Sequence, residues 1–430
     1  MEPLSDVITE ILDRIVDALA SGDPVPADLL RELERRWQAE RSEDARGLQI
    51  LLKSIGAQPN LVALGISRSR VDDYCSTSAA HTGEWRRLSA KSPKSAAGAG
   101  EKEPGWLYPV FFGTNRAAAD PQHPEKGFNA RRAREVTYGQ CDVWIPATHR
   151  FGETGEPWWQ RWPRLQFADD HLRLRQLVVL DPRGFWAGLQ AEMLKADRGK
   201  RHGLVYLHGY NVGFEDAAIR AAQMGFDLRV SGATAFFSWP SQGTLEGYPA
   251  DAASIEASEN AIVCFLADFV HQSGAEVVHV VAHSMGNRGL LRALQRLAAD
   301  PELNSAVRFG QIFLAAPDVD RDLFLDLARL YPNFSTRTTL YASDADRALG
   351  ASAWLHDDYR AGYCPPVTVP GIARFDTIRV PNFDLDLVGH GYYAEADALL
   401  NDLHELMNHD TPPEQRQRLR RVADYWQMVR

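Results

Sequence analysis

At 430 residues, with 45% hydrophobic and 24% charged residues, the chain has the length for two or three domains and the balance of a globular protein. Its formal net charge of −10 argues against a general nucleic-acid-binding surface. The four cysteines, Cys75, Cys141, Cys264 and Cys364, stand far apart with no C-x-x-C pair, which argues against a disulfide framework and a zinc site.

The opening residues, Met-Glu-Pro-Leu-Ser-Asp, are acidic and lead into no apolar leader core. No run approaches the roughly 18 apolar residues of a membrane helix. A cytoplasmic protein without a transmembrane segment is expected.

Residues 1–75 read as a small helical bundle. Leu4, Val7, Ile8, Ile11, Leu12, Ile15, Val16 and Leu19 recur at three- and four-residue steps and make one apolar face. Gly22-Asp-Pro-Val-Pro26 ends that helix, and Asp28 caps a second one carrying Leu29, Leu30, Leu33 and Trp37. A third runs from about Asp44 to Gly56. Residues 76–105 are rich in Ser, Ala, Gly and Lys and read as a linker.

From residue 106 to 430 the pattern is α/β. Strands are predicted at Val110–Phe112, Cys141–Pro146, Gly203–Leu207, Ala233–Phe237, Val277–Ala282, Phe309–Ala315 and Thr338–Tyr341, with Phe375–Val380 as the last. Helices are predicted at Phe185–Lys195, Asp216–Val230 and, as one long element, Ala252–Val270. Such alternation implies a mostly parallel sheet covered by helices on both faces, with its site at the carboxyl ends of the strands.

One turn carries the chemistry. In His279-Val-Val-Ala-His-Ser284-Met-Gly-Asn287 an apolar strand runs into Ser284, and a helix-like segment follows from Arg288. Strand, tight turn and helix with serine on the turn describe a nucleophile elbow. Ala282 takes the first small position of the G-x-S-x-G pattern and Gly286 the second.

A serine nucleophile needs a base, an acid to orient it and donors for an oxyanion. His390, between Gly389 and Gly391 just after the last predicted strand, is the expected base, with His356 the nearest competitor. His404 and His409 lie in a polar helical tail and are expected to face solvent. Asp346 is favoured as the acid, followed by Asp344 and then Asp318. In Leu204-Val-Tyr-Leu-His208-Gly-Tyr-Asn211 the glycine lets the chain turn, so the Tyr210 N–H is the expected oxyanion donor beside the Met285 N–H. His208, Asn211, Trp239 and Tyr248 are candidates for the substrate pocket, with a structural role the plainer reading of His208 and a core position of Trp239.

These motifs together resemble a family. His208-Gly-Tyr-Asn, Ser238-Trp-Pro-Ser…Tyr248…Asp251, Ala282-His-Ser-Met-Gly-Asn, Ala315-Ala-Pro-Asp-Val-Asp-Arg-Asp-Leu-Phe324, Tyr341-Ala-Ser…Asp346-Arg-Ala-Leu349 and Gly389-His-Gly-Tyr-Tyr are similar to an uncharacterised bacterial family of esterase- and lipase-like α/β-hydrolases. Val110–Arg116 and Tyr138–Pro146 resemble its first strands, so the likeness spans roughly residues 107–395. It implies an α/β-hydrolase fold preceded by a small helical domain and linker, and a triad of Ser284, Asp346 and His390. The expected activity is cleavage of a small-molecule or lipid carboxylic ester through an acyl-enzyme, with no metal or organic cofactor. The helical segment 1–75 lies outside the likeness. One alternative is a partner-regulated effector hydrolase recruited through that segment, for example in bacterial defence. Another is a hydrolase-fold binding protein without chemistry.

Overall fold

The computed structural model describes residues 105–147, 149, 172–243, 247–343, 359–364, 366–380 and 393–429. All belong to the second of the two units into which the chain divides, Lys102–Arg430. The expected helical bundle, and the expected linker up to residue 104, lie outside the described residues.

Eleven strands among the described residues form one sheet. They are β1 (Gly105–Ala118), β2 (Phe128–Pro146), β3 (Arg173–Leu180), β4 (His202–Leu207), β5 (Ala233–Ser238) and β6 (Val277–His283). The rest are β7 (Phe309–Ala315), β8 (Ser335–Ser343), β9 (Phe375–Val380), β10 (Leu419–Val422) and β11 (Tyr425–Met428). Helices α1 (Pro182–Met193), α2 (Phe214–Asp227), α3 (Tyr248–Ala257), α4 (Glu259–Gln272) and α5 (Gly286–Ala299) alternate with the central strands. After them come α6 (Pro301–Ala306), α7 (Arg321–Leu327), α8 (Tyr331–Phe334) and α9 (Tyr393–His409).

The strand order is β10-β11-β9-β8-β7-β6-β4-β5-β1-β2-β3. From β1 across to β9 and on to β11 every pair is parallel. Antiparallel pairing is confined to the edges, β1–β2–β3 at one and β10–β11 at the other.

Strand residues alternate between two apolar layers, as a period-two backbone requires. Phe111, Val205, Leu207, Val280 and Ala282 pack with Phe185 and Leu189 of α1, Phe265 and Phe269 of α4, and Leu290 and Leu294 of α5. Val110, Phe112, Leu204, Tyr206 and Val281 face the other way, against Ala217, Ala218 and Ala221 of α2 and Leu399, Leu403 and Leu406 of α9. A sheet covered on both faces explains why its central strands read as continuous apolar runs. This is the α/β-hydrolase fold that the resemblance implied.

Four expectations need correction. The helix expected over Ala252–Val270 is two helices, interrupted at Ser258, whose buried hydroxyl donates to Ser254 O (2.7 Å) and accepts from Asn115 Nδ2 (2.9 Å). β3 was missed, because Arg173-Leu-Arg-Gln intersperses charge with its apolar residues at a sheet edge. Phe375–Val380 is not the last strand: β10 and β11 form a hairpin whose turn places Ala423 at φ +51°. His404 is not on a solvated tail, since it is half-buried, its Nδ1 donates to Leu228 O (2.8 Å), and α9 buries its apolar residues against the sheet.

Candidate active site

β6 supplies the strand of the turn and α5 its helix, with Ser284 and Met285 between them. Ser284 has φ +47°. A side chain with a Cβ is disfavoured there, by roughly 1–3 kcal/mol, so the surroundings must hold it. They do so through backbone bonds: the Ser284 N–H donates to Ala315 O (2.9 Å), and Ser284 O accepts the N–H groups of Asn287 (3.1 Å) and Asp318 (3.1 Å).

Asn287 completes the clamp. Its buried Nδ2 donates to Ala282 O (3.1 Å), Ser284 O (3.0 Å) and Ala315 O (3.3 Å), spanning both sides of the elbow and the end of β7. Gly286 is required by close approach. A Cβ there would stand 2.6 Å from the carbonyl oxygens of both Leu207 and His208. The elbow is thereby pressed against the end of β4. It leaves Ser284 only 4% exposed.

The loop after β4 lies on the elbow. A Cβ at Gly209 would meet Ser284 Cβ at 3.0 Å and His283 Nδ1 at 2.8 Å, so only glycine passes without displacement. Tyr210 and Asn211 follow, both half-buried, with Asn211 at φ +57°. Met285 caps α5, at the positive end of the helix dipole, where first-turn N–H groups lack intrahelical acceptors.

The four pocket candidates fall into two pairs. Trp239 is wholly buried, stacks on the His208 ring at 5.0 Å and donates its indole N–H to His208 O (2.8 Å). His208 is wholly buried too, and burial first, with the Arg116 charge adding, pushes its pKa down to about 3. Both stand behind the loop. Tyr248 and Asn211 adjoin Tyr210 instead: the buried Tyr248 ring meets the Tyr210 ring edge-on at 5.3 Å, and Asn211 follows Tyr210 in the loop.

Asp318, the third-ranked acid, is buried among cations. Its Oδ2 accepts from Tyr248 Oη (2.7 Å) and Arg288 Nη2 (3.1 Å), and its Oδ1 lies 3.4 Å from Arg360 Nε. Asp344, Asp346, His356 and His390 lie outside the described residues. The strands leading to Asp346 and His390 are β8, ending at Ser343, and β9, ending at Val380. Both run parallel to β6 and so finish at the serine's edge of the sheet.

Residue-type reasoning gave no role to Asn287, Arg116, Ser238, Ser241 or Asp251. Arg116 closing an otherwise uncharged strand segment, Val110-Phe-Phe-Gly-Thr-Asn-Arg, was the available signal for its burial. Among the described residues no group of three or more His, Cys, Asp or Glu is placed to hold a metal ion. No helix among them is long and apolar enough to cross a membrane.

The sheet, the strand-turn-helix at Ser284 and the loop packed on it together define a hydrolase-class α/β protein. The family described as "Alpha/beta hydrolase of unknown function (DUF900)" matches residues 188–407, just over half of the chain, and the chain belongs to it. That span runs from α1 into α9 and contains the elbow; β1, β2 and β3 precede it.

No curated protein matches the chain. Among solved structures, the chain is similar to an uncharacterized protein from Bacillus cereus ATCC 10987, at 13% identity and a TM-score of 0.33, covering 50% of this chain and 62% of that one. A putative hydrolase from Agrobacterium vitis S4 aligns at 12% identity and a TM-score of 0.32, over 71% of this chain and 99% of that one. A third, ESTFA in an Fe-lacking apo form, aligns at 10% identity and a TM-score of 0.30, over 84% of this chain and 97% of that one.

Proposed function

We propose that the chain is a serine hydrolase that cleaves carboxylic esters by acyl transfer. The observation that carries this reading is Ser284 itself, held at φ +47° between a parallel strand and a helix, with Gly209 in contact behind it. A costly backbone conformation, pinned by bonds to Ala315, Asn287 and Asp318, fits a residue whose hydroxyl must be presented in one direction.

In this mechanism His390 takes the Ser284 proton as Oγ attacks the ester carbonyl. The carbonyl oxygen becomes an oxyanion, and the Tyr210 and Met285 N–H groups receive it. Collapse expels the alkoxide, which leaves as the alcohol with the proton from His390. Water, deprotonated in turn by His390, then releases the carboxylic acid and restores Ser284.

Asp346 orients the imidazole and stabilises its cation. Asp318 is the weaker choice because its two oxygens already meet Tyr248, Arg288 and Arg360. Tyr248 and Asn211 are the pocket residues nearest this chemistry, while His208 and Trp239 support the loop from behind. The substrate in this reading is a small-molecule or lipid ester and the setting is cytoplasmic; recruitment of a protein partner through residues 1–75 belongs to the alternative reading of a regulated effector hydrolase.

Labelling with a fluorophosphonate probe, followed by mass spectrometry of the modified peptide, tests the proposal. An adduct on Ser284, absent from Ser284→Ala, is the expected result. Folded wild-type protein that takes no label, or takes it at another residue, would overturn it.

A further inference from the structure

Behind the loop after β4 lies a buried polar chain with a direction. Arg116 is 2% exposed and donates from all three guanidinium nitrogens: Nε to Ser238 Oγ (2.8 Å), Nη1 to Ser241 O (2.9 Å) and Nη2 to Val212 O (2.7 Å). Burial lowers its pKa only to about 10, against the pull of Asp251 and Asp216, so it stays charged at neutral pH.

Ser238 Oγ, having accepted from Arg116, lies 3.2 Å from His208 Nε2. His208 Nδ1 lies 2.7 Å from Gly209 O. A carbonyl only accepts, so Nδ1 carries the hydrogen. The neutral ring then offers Nε2 as acceptor to the Ser238 hydroxyl. The order is therefore Arg116 Nε–H to Ser238 Oγ–H to His208 Nε2, and His208 Nδ1–H to Gly209 O.

The end of that chain fixes a peptide plane. Gly209 C=O and Tyr210 N–H belong to one planar trans unit and point to opposite sides of it. Holding the carbonyl back on His208 turns the Tyr210 N–H outward, away from the buried chain. Glycine at position 209 would otherwise make this peptide easy to flip. The next N–H, of Asn211, is held separately on Asp251 Oδ2 (3.2 Å), which also accepts from Ser241 Oγ (2.6 Å). Arg116 joins the two arms through Ser238 and Ser241.

We propose that Arg116, Ser238 and His208 are positioning residues that lock the Gly209–Tyr210 peptide with its N–H toward the oxyanion. This rests on the acyl-transfer reading above. It assigns His208 a role in catalysis without contact with substrate or proton transfer.

The test uses the full chain, p-nitrophenyl butyrate as substrate and a butyl trifluoromethyl ketone, whose adduct with Ser284 carries the oxyanion. For His208→Ala, kcat falls roughly 10²–10³-fold, the range for loss of one oxyanion donor, while KM changes less than about threefold. His208→Asn, whose side-chain amide N–H replaces Nδ1–H, recovers to within about tenfold of wild type. Ser238→Ala, which removes one relay hydroxyl with little volume, costs about tenfold.

Across the three variants the ketone's inhibition constant rises in proportion to the loss of kcat/KM, as a weakened oxyanion site requires and a general loosening does not. Wild type that hydrolyses the ester, with His208→Ala or Ser238→Ala leaving kcat and the ketone constant unchanged, overturns this inference alone. If His208→Ala does not fold, Ser238→Ala decides. Wild type that neither hydrolyses the ester nor takes label at Ser284 overturns the acyl-transfer reading, and this inference with it.

Discussion

Two of the buried polar networks among the described residues do different work. The one around Ser284 joins backbone groups and short polar side chains to the buried Arg116 and Asp251, and it holds a strained turn and a loop in one geometry. The other, on β8 and β9, is a set of buried ion pairs. Arg337 donates from Nη1 to both oxygens of Asp376 and from Nε to Asp410, and Arg416 pairs with Asp402 and Asp376. Tyr341 Oη donates to Asp402 (2.7 Å). That network ties α9 and the segment before the β10–β11 hairpin to the central sheet. Burying charge brings little net stability, but breaking a buried pair is costly. Losses at the first network should therefore appear in rate, and losses at the second in stability.

The largest effect belongs to the serine. Ser284→Ala should lower turnover by roughly 10⁴-fold or more, with the unfolding midpoint little changed, since alanine keeps both the Cβ that makes +47° costly and the backbone bonds that hold it. Steady-state kinetics beside a thermal melt reads both. Substantial residual turnover would remove the distinction between the two regions.

The ion pairs on β8 and β9 should give the converse. Arg416 is almost wholly buried, and Arg416→Met leaves Asp376 and Asp402 without it. We expect a loss of about 3–5 kcal/mol in urea unfolding, with kcat of the fraction still folded unchanged. A fall in kcat at full folding would mean that this network reaches the site.

Much of this division was legible in the sequence, and the rest was hidden for definite reasons. The central strands announced themselves because both faces are covered, so each reads as an apolar run. The elbow was legible because a strained serine needs small neighbours, and Gly286 has no room for a Cβ beside the carbonyls of Leu207 and His208. The edge strands β3 and β10 were not legible, since an edge carries charge on its open side and Leu419-Arg-Arg-Val offers no alternation. Buried charge was the least legible. Arg337, Asp376 and Arg416 are far apart in sequence, and nothing in a single arginine says that it will be paired inside.

A smaller effect should sharpen the first region. Asn287→Ala removes the Nδ2 donor that joins the carbonyls of Ala282, Ser284 and Ala315. Misplacing a nucleophile by an ångström can cost about 10²-fold, so we expect a fall of ten- to a hundredfold in kcat/KM and slower fluorophosphonate labelling. Asn287→Asp, which keeps the shape but replaces the donor by an acceptor, should be no better. Labelling at the wild-type rate in either variant would reduce Asn287 to a packing residue.

The smallest effect concerns pH, and it links the two ends of the sheet. His208 lies at the serine's end and His279 toward the amino end of β6, and burial above all pushes each pKa down to about 3 from an ordinary 6.5. The Gln311 N–H donates to His279 Nδ1 (3.1 Å), and His279 Nε2 lies 3.3 Å from His202 Nδ1, so this ring too is held neutral. Below about pH 6.5 the unfolded chain takes up protons that the folded chain refuses until about pH 3. Stability should therefore fall as pH drops through that window, by up to roughly 1.4 kcal/mol per pH unit for each histidine. Asp251, Asp376 and Asp402, each raised first of all by burial, bind protons more readily when folded and oppose the loss lower in the window. The slope is therefore cleanest between pH 6.5 and 5. Urea titrations across that interval should give it, and His279→Gln should make it shallower without altering turnover at neutral pH. A flat profile would mean that the folded chain admits protons at both rings. The neutral His208 on which the Gly209 carbonyl depends would then lose its support.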